Sequence, residues 1–356
     1  MNQVFRKLSV VKLTTNFAEA VKLVEQPLVT PADNQVLIKN IYAGVNASDV
    51  NITAGRYFTD AKVPFDVGFE VFIDLSCYEL YNFMSINVTQ TLCIIPGLGV
   101  IHALGKNVTK YRVGQPALFL ESKAYSEYVY IKQENVIPVP ELKPDYLTLL
   151  RGLIKEGEKV LITAAAGGTG HLCVQWAKKK GCHVIGTTSS PEKANMLKEL
   201  GCDRVINYKT ENLSEVLRNE YPDGIDVVWE SIGGEMFNTL VKHLRIKGRL
   251  VVMGSISGYT TGGSTIAGNL SQLTNRLILK SNSLNGFLFT QYTEEFPQYL
   301  PKLIQMLAKN ELKAVLDLGQ NTSGGEFKGI ESVVRGVEHL HTGRSNGKVV
   351  VKIQEP

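Results

Sequence analysis

Cysteine is scarce: five in 356 residues, at positions 77, 93, 173, 182 and 202, an odd number with no C-x-x-C pair. That argues against a disulfide framework and a zinc ribbon, and points to a reducing compartment. Net charge is small as well, 38 Lys and Arg against 34 Asp and Glu, or +4, with no basic run, so nucleic acid is not an expected partner. No stretch of about 18 uncharged apolar residues occurs. Even the apolar run after Glu70 is broken by Asp74 and Glu79, so no membrane partner is expected. The opening MNQVFRKLSVVKL lacks the long apolar core of a signal peptide, and Gln354-Glu355-Pro356 is not a recognised address, which leaves a cytoplasmic protein as the expectation. Neither a G-x-S-x-G elbow nor a Cys/His pair at informative spacing is present, so hydrolysis by a nucleophile has no support. The six histidines are dispersed; His339 and His341, two apart, fall on different faces of a helix, and no metal is expected.

What the chain does have is 44% hydrophobic residues, enough for a sizeable core, and a length that fits two domains at roughly 150 residues each. Residues 1–70 alternate β-rich runs (LSVVKL, VLIKNIYAGVN) with turn residues and read as a small antiparallel unit. A second β-like region covers 97–140, with turns at Gly105-Lys106-Asn107 and Gly114-Gln115-Pro116. From Lys159 the rhythm becomes strand, helix, strand. Strands are expected at Lys159–Ala164, Cys182–Thr187, Arg204–Asn207, Ile225–Glu230, Arg249–Met253 and Leu284–Phe289. One helix covers Leu172–Lys180, and another opens with Ser190 as N-cap and Pro191 in its first position. Six strands with intervening helices predict a doubly wound parallel sheet, an α/β fold. The tail, Gly347–Ile353, returns to β character and is expected to rejoin the first domain.

The segment Ala164-Ala165-Ala166-Gly167-Gly168-Thr169-Gly170 follows the first of these strands and leads into a helix. It reads as G-x-G-x-x-G with Ala165 in the first glycine place, Gly167 in the second and Gly170 in the third. Gly167 lets a pyrophosphate approach the backbone, Gly170 lets helix and sheet pack closely, and the helix N-terminus offers N–H groups and a positive dipole end. A site for NAD usually carries Asp or Glu at the end of the second strand to hold the ribose 2′-hydroxyl. Here Thr187-Thr188-Ser189-Ser190 stands there, followed by Lys193. Hydroxyls and a cation suit a 2′-phosphate, so NADPH is the expected cofactor.

Five stretches carry a resemblance: GVNASDVNITAGRY (Gly44–Tyr57), PFDVGFE (Pro64–Glu70), TAAAGGTG (Thr163–Gly170), GCDRVINYKT (Gly201–Thr210) and GRLVVMGSISGY (Gly248–Tyr259). In these the chain resembles the zinc-independent medium-chain dehydrogenase/reductases. Phe69 stands where a zinc enzyme of this fold wants histidine. The resemblance implies a GroES-like β-rich catalytic domain from residues 1–140 and 311–356, a Rossmann NADP-binding domain from 141–310, and a cleft between them. It implies NADPH-dependent reduction of a carbon–carbon double bond conjugated to a ketone, with 15-keto-prostaglandins as the substrate class. The alternatives are a quinone oxidoreductase, or an NADPH-binding variant impaired in catalysis. Cofactor contacts are implied for Thr169, Ser189, Lys193, Tyr208, Ser231, Met253, Tyr259, the strand end Phe287, Leu288 and Phe289, and Asn346, with Lys193 and Tyr208 on the 2′-phosphate. Tyr57 is implied as proton donor and Asn46 as part of the substrate pocket. The fold often pairs as a homodimer through the edge of its coenzyme sheet. Relatives include peroxisomal members, although the tail here lacks a Ser-Lys-Leu type ending. The chain departs from the family pattern twice. Val71 to Pro96, 26 residues, separate Glu70 from the glycine-rich segment at Gly97. A small-residue helix expected after Leu150 is missing, the chain passing straight to Arg151.

Overall fold

A computed structural model describes residues 3–56, 61–68, 97–121, 123–143, 154–260, 270–287 and 296–355. Tyr57, the 71–96 insertion, the Leu150/Arg151 junction, Leu288 and Phe289 lie outside the described residues.

The antiparallel part begins with β1 (Val4–Val10) and β2 (Val21–Pro27), paired in register with Val10 opposite Val21. Between them the one-turn helix α1 (Phe17–Ala20) is capped by the Asn16 side chain, which accepts from Glu19 N. The spine of the second sheet is β3 (Gln35–Gly44), in which Val36, Leu37, Ile38, Ile41 and Ala43 are buried. Helix α2 (Asp49–Thr53) follows it, and β4 (Phe65–Asp66) returns to pair with β1. Along one edge β3 pairs with β5 (Gly97–Leu104), which passes the sheet on to β6 (Pro116–Phe119). The other edge of β3 pairs with β7 (Tyr128–Lys132) over its first half, while β8 (Val136–Pro138) closes the far side against β6.

The parallel part comprises β9 (Lys159–Ile162), β10 (His183–Thr188), β11 (Arg204–Asn207), β12 (Ile225–Glu230), β13 (Leu244–Val252) and β14 (Ser283–Gly286). Their spatial order is β11-β10-β9-β12-β13-β14, the doubly wound arrangement whose crevice opens where the order reverses, between β9 and β12. Helices α3 (Gly170–Lys179), α4 (Pro191–Glu199), α5 (Leu213–Glu220), α6 (Gly234–Lys242) and α7 (Leu270–Lys280) join the strands. All six residues of β12 are buried, as expected of a central parallel strand covered on both faces. One face packs Leu161, Ile185 and Val228 with Leu217 and Leu240 of α5 and α6; the other packs Val160 and Ile162 with Leu172 of α3 and Leu197 of α4. At α4 the Ser190 hydroxyl accepts from Lys193 N at 3.3 Å and Pro191 takes the first turn, a cap contributing about 1 kcal/mol.

Two strands depart by more than two residues from the sequence expectation, while β9 ends at Ile162 rather than Ala164 and β10 spans His183–Thr188 rather than Cys182–Thr187. β13 starts at Leu244 rather than Arg249, because its register against β12 shifts between Ile225 and Val227 and Lys247 adopts a φ of 61°, an irregularity that hides the period. β14 ends at Gly286 instead of running to residue 289.

After α8 (Phe296–Ala308) the chain forms β15 (Leu316–Asp317), α9 (Ser332–His341) and β16 (Lys348–Lys352). β16 pairs antiparallel with the second half of β3, Val350 opposite Gly44, so the start and the tail of the chain share one sheet. No helix among the described residues is long and apolar enough to cross a membrane.

Candidate active site

A cleft of about 590 Å³ runs between the C-terminal ends of the parallel strands and the loops after β3 and before β16. Its floor is the glycine loop. Ala164 leaves β9 with a φ of 45°, and Gly167 N closes the turn on Ala164 O at 2.8 Å. Helix α3 then opens at Gly170 with no side-chain cap and no acidic residue in its first turn, which leaves the positive end of its dipole to an anion, while its His171 and Leu172 amides donate to Gly167 O and Thr169 O, both at 3.2 Å. The three glycines have different reasons to lack a side chain. A Cβ on Gly170 would lie 2.4 Å from Ala164 O and 2.7 Å from Ala165 Cα, so helix and strand touch there. On Gly168 it would lie 2.9 Å from Lys348 Cδ, a side chain from the opposite wall. On Gly167 it would meet only Ala164 O, at 3.1 Å, and otherwise face the cleft.

Of the residues named from sequence, Gly167, Gly168, Thr169 and Gly170 line the floor. Ser189, Lys193 and Tyr208 line the end beyond β10, and Ser231, Met253, Tyr259 and Phe287 line the side formed by β12 to β14. Ala165 does not reach the cleft. It is fully buried, packed under Gly170 and against Gly186, so its place in the motif serves the turn alone. Asn346 sits between the lining residues Ser345 and Gly347 while its own side chain points elsewhere; its N donates to Asp317 Oδ2 at 3.0 Å. Its buried Oδ1 has no partner among the described residues.

The β10 end offers hydroxyls and a cation, with no lining carboxylate. Thr187 and Thr188 both line the cleft, and their hydroxyl oxygens are buried without a hydrogen-bond partner among the described residues. Lys193 Nζ donates to Gly343 O at 2.6 Å. Burial lowers its pKa, a shift opposed by the charge of Asp317.

On the opposite wall, Asn46 N donates to Asp49 Oδ2 at 2.8 Å, and the fully buried Tyr125 hydroxyl donates to the same oxygen at 2.5 Å. Burial and then the Asp49 charge push the Tyr125 phenol well up, so it stays a donor. Arg56, immediately before Tyr57, donates from Nη1 to Asn51 Oδ1 at 2.8 Å and to Tyr259 O at 2.7 Å, tying that segment to the far rim.

Two residues that sequence reasoning left aside hold the walls together. His171 on α3 has its Nδ1 2.8 Å from Gly167 O, and its Nε2 accepts from Val315 N at 3.0 Å. An amide N–H can only donate, so Nδ1 carries the proton and the ring is neutral. Burial, helped by the charge of Lys348, lowers its pKa to about 4. One turn on, Gln175 donates to Lys313 O and accepts from Lys313 N, both at 2.8 Å. Gly347 N completes the join on Ala166 O at 2.8 Å. The second residue is Lys348, buried, with Nζ donating to Asn46 Oδ1. Each stands between a glycine and an apolar run, in GHLCV and GKVVV, and that is the only trace either leaves in the sequence.

A Rossmann sheet facing a curled β domain across a glycine-floored cleft is the architecture of the medium-chain dehydrogenase/reductases. Residues 168–305 match the family model described as zinc-binding dehydrogenase. Among the described residues, however, no three His, Cys, Asp or Glu side chains converge as metal ligands do. The chain is 41% identical to prostaglandin reductase-3 of Mus musculus over 99% of its own length and 90% of that protein. It is 38% identical to a probable quinone oxidoreductase of Leishmania amazonensis, covering 98% of each. Among solved structures it superposes on Escherichia coli quinone oxidoreductase complexed with NADPH, with a TM-score of 0.76 at 22% identity, over 98% of this chain and 99% of that one. The chain belongs to the prostaglandin reductase-3 family.

Proposed function

We propose that the chain is an NADPH-dependent reductase of carbon–carbon double bonds conjugated to a ketone, of the 15-keto-prostaglandin type. The observation that carries the reading is the single cleft that joins the glycine loop to Asn46. Its relatives named prostaglandin reductase and 2-alkenal reductase support the choice of substrate class. The residues at the cleft fit the cofactor. Gly167 leaves room for a pyrophosphate at the α3 N-terminus, and Thr187 and Thr188 line the cleft at the β10 end, on the side of the adenosine ribose. Ser189, Lys193 and Tyr208 meet a 2′-phosphate where an NAD site would present a carboxylate. Bound NADPH supplies a hydride for the β-carbon of the enone. The chain's own residues orient the substrate, donate hydrogen bonds to the ketone oxygen as negative charge develops on it, and return a proton to the α-carbon from Tyr57 or water.

The test is NADPH oxidation with a 15-keto-prostaglandin, run beside a small quinone because of the quinone oxidoreductase relative. Faster turnover of the enone is expected, and turnover of the quinone alone would overturn the substrate assignment. Tyr57→Phe is expected to lower enone turnover about a hundredfold; full turnover would remove Tyr57 from the reaction. Lys193→Ala is expected to weaken NADPH binding by about tenfold or more, the worth of a charge-assisted hydrogen bond, while NADH binding stays within about twofold. Equal losses for both cofactors in a fluorescence titration would exclude the 2′-phosphate role.

A homodimer through β14 belongs to the same reading. Ile278 and Leu279, 75% and 83% exposed, precede this last strand of the sheet. Leu279→Glu is expected to convert the dimer to monomer by sedimentation; an unchanged dimer would exclude this surface.

A further inference from the structure

Glu230, the last residue of the central strand β12, carries a carboxyl group that is fully buried. Burying such a charge is costly unless its hydrogen bonds are made, so its partners matter. Oε1 accepts from Ile232 N at 2.8 Å, and Gly233 N donates to Oε1 and Oε2 at 3.1 and 3.0 Å. Backbone amides can only donate, which favours the ionised carboxylate. Burial raises its pKa, and the Ile232 and Gly233 amides and the Thr163 hydroxyl oppose the rise. The rest of the turn is equally committed. Ser231 N donates to Thr163 Oγ1 at 2.8 Å, while Ser231 O and Ile232 O accept from Ile256 N and Ser257 N at 3.1 and 3.0 Å. Ser231, Ile232, Ile256 and Ser257 line the cleft, so the carboxylate stands behind its β12 wall.

Two helices open toward this cleft, and their charges differ. α3 has no acidic residue in its first turn; α6 has Glu235 there, and the Glu230 carboxylate holds the turn before it. A pyrophosphate is thus drawn to α3 and repelled from α6. With the pyrophosphate at α3 and the 2′-phosphate at β10, the nicotinamide half of the cofactor extends along the β12 side. We propose that Glu230 is a positioning residue for that half: its charge, held behind Ser231 and Ile232, favours the oxidised, cationic nicotinamide over the reduced, neutral one. The proposal rests on the reductase reading. The hydride that bonds to the β-carbon of the enone carries two electrons out of the cofactor, which is oxidised, and into the enone, which is reduced. The resulting enolate takes its proton at the α-carbon. Positive charge therefore arrives on the nicotinamide side as negative charge arrives on the ketone oxygen, and a fixed carboxylate behind the β12 wall lowers the energy of that change.

Cofactor binding without substrate tests this. Glu230→Gln keeps the size of the side chain and removes its charge. It is expected to weaken NADP+ binding about tenfold and to leave NADPH within about twofold, read by calorimetric titration of each form. Equal losses for both forms would reduce Glu230 to a support for the turn and overturn the proposal, as would unchanged binding of both. Glu230→Asp keeps the charge and is expected to hold the ratio of the two affinities within about twofold of native; a tenfold shift there would overturn it too. Where Glu230→Gln does not fold, Glu230→Ala leaves room for a water between the two amides and is read in the same way. A native chain that binds both forms yet turns over neither enone nor quinone refutes the reductase reading instead, and the ratio of affinities still decides the role of Glu230. A native chain that binds neither form overturns both.

Discussion

Gly170→Ala is expected to destabilise the protein by about 3 kcal/mol or more, while Gly167→Ala leaves the fold within about 1 kcal/mol of native and loses NADPH affinity about a hundredfold. The two glycines are three residues apart and fail for different reasons. At Gly170 a methyl group would overlap backbone on two sides, Ala164 O at 2.4 Å and Ala165 Cα at 2.7 Å, and neither atom can move without shifting β9 or α3. At Gly167 the methyl group meets one carbonyl at 3.1 Å and otherwise occupies the space a pyrophosphate would need. Urea melts and a cofactor titration on both variants separate the effects. If Gly167→Ala bound NADPH as the native chain does, the loop would not be the phosphate site.

Acid is expected to loosen the joint between the two halves through His171. The folded chain holds this ring neutral with a pKa of about 4, against an ordinary value of 6.5. Its contribution to stability is therefore complete above about pH 6.5 and is lost as pH falls through about 4, because the unfolded chain takes up the proton first. At 1.36 kcal/mol per pH unit the difference corresponds to about 3 kcal/mol. Protonation also removes the acceptor for Val315 N, so the 313–315 segment loses one of its ties to α3 and keeps the Gln175–Lys313 pair. His171→Gln cannot titrate and is expected to flatten the fall in urea midpoint between pH 6.5 and 4. Parallel pH profiles for the variant and the native chain would assign the loss to other groups.

The parallel half was legible because its signals are local. Arg204–Asn207 and Ile225–Glu230 are strands with the bounds read from their apolar runs, and Ser190-Pro191 caps a helix through contacts within three residues. The glycine loop was legible for the same reason, its turn closing within four residues. What escaped depends on distant partners. His171 meets Val315 and Lys348 meets Asn46, across 144 and 302 positions of sequence. No window of the chain contains both members of either pair. Ala165 is the converse case: a motif position marked it for the cofactor, but packing against Gly170 and Gly186 keeps it out of the cleft.

The pairing of β16 with β3 has a consequence for how the chain is made. During synthesis the parallel sheet is complete once Gly286 has emerged and its core once Leu312 has, since Leu300, Leu303, Leu307 and Leu312 pack into it, and that half can fold while still tethered to the ribosome. The catalytic sheet cannot. Gly44 waits for Val350, and until then the second half of β3 presents an apolar strand with one open edge. Lys348, Gly347 and the carbonyl held by Lys193 all arrive in the same last stretch. A nascent chain can thus hold a folded coenzyme half long before it has a working cleft. Proteolytic trimming ahead of Gly343 would return a finished molecule to that state, folded around its parallel sheet and silent.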